Sequence, residues 1–192
     1  GYVFYNNIGG NHTFNLTSGL TVQGSWNVYE PYATSVVNNS ATLIAATSSS
    51  GINALTLNNL AGATISSTGT AALTISGTTF NNSGTLTTDS TGTLSVNSTN
   101  FNNNATTGVV NVNTGIFTRS GTTAFSNLGQ FNLASGTTLN LDGNYTQATL
   151  EALLAAGAKL VFFETPTNPT LELLDIRAIV AIAHAHGAKV AV

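Results

Sequence analysis

The sequence predicts a mainly β protein: a right-handed parallel β-helix (solenoid) with a C-terminal βαβ fragment. Three observations lead there. An apolar residue followed by a short Asn-containing segment recurs about every 22 residues, short alternating runs lie between the recurrences, and composition changes abruptly near residue 150.

The anchors are Val37-Asn-Asn, Leu57-Asn-Asn, Phe80-Asn-Asn, Phe101-Asn-Asn and Phe125-Ser-Asn, spaced 20, 23, 21 and 24 residues apart, and Tyr145 falls another 20 on. Between them "ALTIS", "GTLTT", "GTLSVN", "GVVNVN" and "TTLNL" alternate with period two and end at Gly, Asn, Ser or Asp, the pattern of strand and turn. Two or three such strands per repeat make one coil. A coil cannot bury its inward side chains alone, but stacking at ~4.8 Å excludes water from all of them. Leu86, Leu94, Val96, Val110, Val112, Phe131, Leu139 and Leu141 are expected to form one apolar column, with the Phe anchors piled in a row. The recurring Asn has two expected roles: left-handed backbone at corners, and amide ladders along the stack. Residues 1–36 are less regular; "NHTFNLTSGLTVQGSWNV" reads as one or two further coils and "YEPYATS" as a loop.

Charged residues make up 6% of the chain, against ~25% in ordinary domains. Residues 1–150 hold only Glu30, Asp89, Arg119 and Asp142. A chain that is 42% hydrophobic with a mean hydropathy of +0.19 nonetheless has apolar surface to bury. A net charge of −3 and the scarcity of Lys and Arg exclude a nucleic-acid partner. No apolar run is long enough for membrane insertion, and the first residues do not read as an export signal. Cysteine is absent, which removes disulfides and thiolate metal sites and fits a bacterial surface protein.

The tract "TTFNNSGTLTTDSTGTLSVNSTNFNNNATTGVVNVNTG" resembles the repeats of filamentous-haemagglutinin-like adhesins and autotransporter passengers, and "TTLNLDGNYTQATL" resembles a segment common in such passengers. The likeness covers residues 37–150. It implies an extracellular or cell-surface solenoid, with a host-surface or matrix ligand as partner and no catalytic residue.

Acid–base chemistry on a solenoid needs carboxylates lined up on one face. Asp89 and Asp142 lie two or more coils apart with Arg119 between them, and all three read as turn or solvated surface residues. His12 reads as exposed. No Gly-Gly-x-Gly-x-Asp nonapeptide occurs, so no metal is expected. The pairs Thr85/Thr87 and Thr91/Thr93 have the spacing of a flat ice-binding face, a minor alternative.

From Thr149 the periodicity changes, and a second domain is placed at 148–192 after repeats at 1–147. "TLEALLAAGA" suits a helix ending at Gly157. "KLVFFE" reads as a strand buried on both faces. Asp175 caps a helix whose apolar face is Ile176, Ile179, Val180 and Ala183, ending near His186-Gly187, and "AKVAV" is a second strand. The segment "FFETPTNPTLELLDIRAIVAIAHAHGAKVAV" resembles the cystathionine/methionine-metabolism family of pyridoxal-phosphate enzymes, over residues 150–192. The resemblance implies that Asn168 meets the cofactor ring oxygen and the substrate carboxylate, and that the protein is cytoplasmic if this likeness governs. Other essential parts are missing from this reading. The ring-nitrogen Asp would follow Val192, no phosphate clamp is identified, and neither Lys159 nor Lys189 has the context of the family's catalytic lysine. His184 and His186 read as surface residues at a helix end. No cofactor and no enzymatic activity are expected. The chain reads as a chimera joined between Tyr145 and Glu151, whose tail caps the open end of the stack.

Overall fold

A computed structural model describes residues 4–5, 10, 12–30, 32, 34–121, 125–143, 150–151, 154–155, 157–163, 165 and 175–192. Its strands pair in parallel throughout and wind into a β-solenoid of about six turns. Three flat faces follow from the pairing. Face one stacks β1 (Phe4–Tyr5), β4 (Asn27–Glu30), the first half of β7 (Ser50–Asn59), the first half of β9 (Leu73–Asn82), β11 (Thr93–Val96), β14 (Ile116–Gly121) and β17 (Thr138–Gly143). Face two stacks β2 (Thr13–Leu16), β5 (Val36–Asn39), the second halves of β7 and β9, β12 (Asn100–Asn103) and β15 (Phe125–Asn127). Face three holds β3 (Thr21–Gly24), β6 (Thr42–Ala45), β8 (Thr64–Gly69), β10 (Thr85–Ser90), β13 (Val109–Val112) and β16 (Gln130–Leu133).

The anchor motif explains face two residue by residue. Period two sends the anchor inward, the next residue outward and the third inward again. Phe14, Val37, Leu57, Phe80, Phe101 and Phe125 are register partners in succession. Phe80 and Phe101 stack with centroids 5.0 Å apart, and Phe101 and Phe125 at 4.7 Å, both pairs within 6° of parallel. The third residue forms a buried amide ladder. Nδ2 of Asn39, Asn59, Asn82 and Asn103 donates to Oδ1 of the next Asn, ending at Asn127, over 2.9, 2.8, 2.8 and 2.7 Å. The middle residue forms a second ladder outside, running the other way: Asn102 donates to Asn81, Asn81 to Asn58, Asn58 to Asn38 and Asn38 to Asn15. Ser126 stands where the outer ladder would continue.

Two expectations about the anchor Asn residues and the core column need correction. The recurrent Asn residues do not supply left-handed backbone: among the described non-glycine residues only Thr34 and Thr106 have positive φ. A saturated amide in a ladder rung leaves the backbone extended, and corners use glycine instead. Gly77 bends β9 between faces one and two at φ +128°, where a Cβ would stand 1.7 Å from the Ala54 carbonyl oxygen. Nor do the predicted core residues form one column, because the coil has three sides. Leu86, Val110 and Phe131 line face three above Val22, Leu43 and Ile65. Leu94 and Leu139 share one face-one row with Leu73 and Phe117, while Val96 shares another with Ile52 and Ile75.

The tail continues the stack. β18 (Leu160–Phe162) adds to β17 with Leu139 opposite Val161, and β19 (Lys189–Ala191) adds to β18 with Val161 opposite Val190. Leu150, Glu151, Leu154 and Ala155 are helical. Helix α1 (Ile176–Ala185) starts where the Asp175 side chain accepts from the Ala178 N–H at 3.0 Å, and Gly187 follows its end at φ 70°. Leu150, Leu154, Val161, Phe163, Ile179, Ala183 and Ala188 belong to the same hydrophobic cluster as the coils. The strand "KLVFFE" is covered on one face only: Val161 and Phe163 are buried, whereas Phe162 is 44% exposed. It extends a solenoid wall, and a wall has one wet side. For the same reason Ile176 is exposed, and the helix buries Ile179 and Ala183.

Candidate functional site

Asn168 lies outside the described residues, in the connection between β18 and α1. His184 and His186 are exposed at the end of α1, and His12 is exposed ahead of β2. Asp89 is exposed on face three, in a strand rather than a turn, and accepts from Asn113 Nδ2 at 2.8 Å. Asp142 is on face one in β17, opposite Ser120. The two aspartates therefore occupy different faces, and no acid–base pair is formed by them. Among the described residues no group of three or more His, Asp or Glu is arranged to hold a metal ion. No helix among them is long and apolar enough to cross a membrane.

Arg119 overturns its surface reading. It occupies the core row between Val96 and Leu141 and is 3% exposed. Strand alternation, not residue type, decides which way a side chain points, and Arg119 has the parity of Val96. The guanidinium donates to three main-chain oxygens: Nη1 to those of Val96 and Ser120, Nη2 to that of Thr99 at 2.9 Å. Desolvation lowers its pKa to about 10.

Thr21, Thr42, Thr64 and Thr85 form one row on face three, but the row beside it reads Gln23, Ile44, Ser66, Thr87, Asn111 and Asn132. Of these two described rows, the first alone is a continuous threonine file.

Sequence reasoning missed a notch on face one. Outward residues of β4, β7 and β9 align as Asn27–Gly51–Thr74 and Tyr29–Asn53–Ser76. Gly51 supplies no side chain, and an open groove of about 410 Å³ lies there, its rim including Asn27, Tyr29, Asn53, Thr74 and Ser76. The available signal was a glycine inside an alternating strand, which marks a close approach or a gap.

Residues 51–192 match the family model described as Cys/Met metabolism PLP-dependent enzyme. The chain belongs to that family. L-methionine gamma-lyase of Pseudomonas deceptionensis is 49% identical over 39 residues, covering 20% of this chain and 10% of that protein. Cystathionine gamma-lyase of Rattus norvegicus is 57% identical over 37 residues, 19% of this chain and 9% of the lyase. O-succinylhomoserine sulfhydrylase of Pseudomonas aeruginosa is 51% identical over 45 residues, 23% and 11% of the two chains. This member of the Cys/Met family thus spans about a tenth of the length of the curated relatives it matches. No solved structure matches it.

The family's cofactor needs an amine for its aldehyde, a carboxylate at the ring nitrogen and donors for its phosphate, all converging. The described residues do not fit it. Lys159 and Lys189 are exposed neighbours on the main chain, the Lys189 N–H donating to the Lys159 carbonyl at 2.8 Å, and neither lines the groove. The Asp175 carboxylate caps α1. The groove itself lies four rungs from β18, roughly 19 Å at ordinary strand spacing.

Proposed function

We propose that the chain is a non-catalytic β-solenoid, a stalk or adhesive segment of a bacterial surface or secreted protein, joined to an incomplete piece of a pyridoxal-phosphate enzyme. The observation that carries this reading is the unbroken wall from β4 to β19. Its rungs are held by buried rows, the amide ladders of face two hold the same coils together, and the enzyme-like strands serve in it as a closing cap. In this reading residues 148–192 are kept for packing: Val161 and Val190 cover the Leu139 end of a row that a bare last coil would expose. The chain is then a chimera, extracellular, and Asn168 is without a cofactor role. The test mixes the purified chain with pyridoxal phosphate and follows the cofactor's absorbance, then assays cystathionine and methionine for ketoacid release. Neither signal is expected, and either one overturns the reading.

The family match favours a second reading, in which the chain is a cytoplasmic piece of a pyridoxal-phosphate-dependent enzyme of the cystathionine synthase/lyase kind through residues 150–192, with Asn168 contacting the cofactor. It requires cofactor binding that the substitution Asn168→Ala weakens, and the same titration measures it. A thermal-hysteresis measurement separates both from the minor ice-binding alternative, which the single threonine file disfavours.

A further inference from the structure

We infer that the N-terminal end of the solenoid docks a second copy of this chain, end to end, with β3 pairing antiparallel to β3 of the other copy around Val22. The first argument is a change at the first coil that repeats on all three faces. Val28, Val37 and Leu43 are buried, and so are the next members of their inward rows, Ile52, Leu57 and Ile65. Phe4, Phe14 and Val22 head the same rows and are only half-buried. Phe4 and Phe14 lean together across this end, ring centroids 5.2 Å apart. The rim is also undefended. β1, β2 and β3 hold no charged residue and no proline, the usual means by which edge strands repel other chains.

The second argument, which selects the partner, is the main chain. The Thr42 N–H donates to the Leu20 carbonyl at 3.0 Å and the Ala46 N–H to the Gly24 carbonyl at 2.9 Å. Alternate residues of a parallel strand bond to opposite sides, so Thr21 and Gln23 direct their N–H and C=O groups away from β6, where no described strand follows. That pattern is self-complementary. Run antiparallel, Thr21 of each copy exchanges N–H···O bonds with Gln23 of the other, and Val22 meets Val22 on a two-fold axis in the closer, non-hydrogen-bonded position. Sliding the register by two residues calls on Gly19 or on Ser25 beyond Gly24, and both glycines leave the extended range, at φ 85° and 118°. The same two-fold exchanges faces one and two, so the Phe4–Phe14 pair of each copy covers that of the other. Head-to-tail stacking does not fit the opposite end. There face one runs on through β17, β18 and β19 while the described strands of faces two and three stop at β15 and β16, a step where the N-terminal rim has one strand per face.

Sedimentation equilibrium of the full chain from about 1 to about 200 μM tests the contact against the 19.6 kDa of a monomer. A closed dimer of twice that mass is expected, with a Kd of about 100 μM or tighter. Gln23→Pro deletes an outward N–H that the fold does not use, and proline is tolerated on an edge strand. It should weaken self-association by about tenfold or more with unchanged circular dichroism. The chain has no cysteine, so Val22→Cys supplies a single thiol on the axis. Under copper–phenanthroline oxidation that variant should cross-link to itself as a dimer on a non-reducing gel. Gln130→Cys, exposed on β16 at the other end, should stay monomeric there. The contact is overturned by a monomer throughout the range, by an open series of polymers, by association that Gln23→Pro leaves intact, or by cross-linking through Gln130→Cys in place of Val22→Cys. Should Gln23→Pro disturb the coil, the two cysteine variants decide alone.

Discussion

Phe101 lies parallel to Phe80, ring centroids 5.0 Å apart and planes 6° from coplanar, with Phe125 on its other side at 4.7 Å. A ring held on both faces has little room to relax when truncated. Phe101→Ala should therefore cost about 3–5 kcal/mol in denaturant unfolding, near the upper range for core truncation. Phe101→Leu keeps most of the apolar volume and should cost clearly less. Equal losses for the two would show that ring stacking, rather than buried apolar volume, carries the cost.

The two amide ladders differ in burial, so they should differ in worth. Asn82 is fully buried, accepts from Asn59 and donates to Asn103 and to the Val109 carbonyl at 3.1 Å. Asn82→Ala strands those partners away from water and should cost on the order of 2–4 kcal/mol. Asn81→Ala breaks rungs that solvent can replace, and should cost about 1 kcal/mol or less. Matched urea titrations compare them.

At Gly77 the Ala54 carbonyl leaves no space for any side chain. Gly77→Ala should prevent folding or shift the coil, seen as lost strand signal in circular dichroism. Gly62 also has positive φ, at +82°, but nothing lies within 4 Å of an added Cβ. Gly62→Ala should cost only about 1–2 kcal/mol, the strain of the left-handed backbone.

Burial lowers the Arg119 pKa from its ordinary value to about 10, so the unfolded chain holds this proton more tightly than the folded one. The contribution of this site to stability is then lowest below about pH 10, rises as pH passes through the folded value, and is complete once the pH exceeds the ordinary arginine value. Arg119→Met removes that dependence. The difference in unfolding free energy between the original chain and Arg119→Met should stay flat from pH 6 to 9 and move toward the original chain above about pH 10. At pH 7 the variant should lie within about 1 kcal/mol of the original, since lost carbonyl contacts and shed desolvation offset each other.

Val161→Asp places a carboxylate between Leu139 and Val190 in the shared row. If the tail is a cap, this variant should melt lower and aggregate, by exposing the end of the stack. An unchanged, monomeric variant would dispose of the cap.

Much of the fold was legible in the sequence because face two is nearly a literal repeat: the spacing of Phe80, Phe101 and Phe125 fixed the coil length, and period two fixed which way each anchor points. The three-sided section was less visible, since β7 and β9 run through a corner without any turn residue except Gly77. Arg119 was misread because a charge argues for solvent, whereas its parity with Val96 argued for the interior, and parity prevailed. The groove escaped notice because it is made by three rungs brought together from positions some 23 residues apart. No local motif records such a coincidence, and only the isolated Gly51 hinted at it.

Leu139 meeting Val161 has a broader meaning. An exposed rung offers its neighbour evenly spaced donors and acceptors plus a row of greasy studs, and it tests nothing else about the newcomer. Any strand passes that test if its length and alternation agree. Solenoid ends are thus permissive junctions, where genetic splicing can join segments of separate ancestry and still yield a continuous interior.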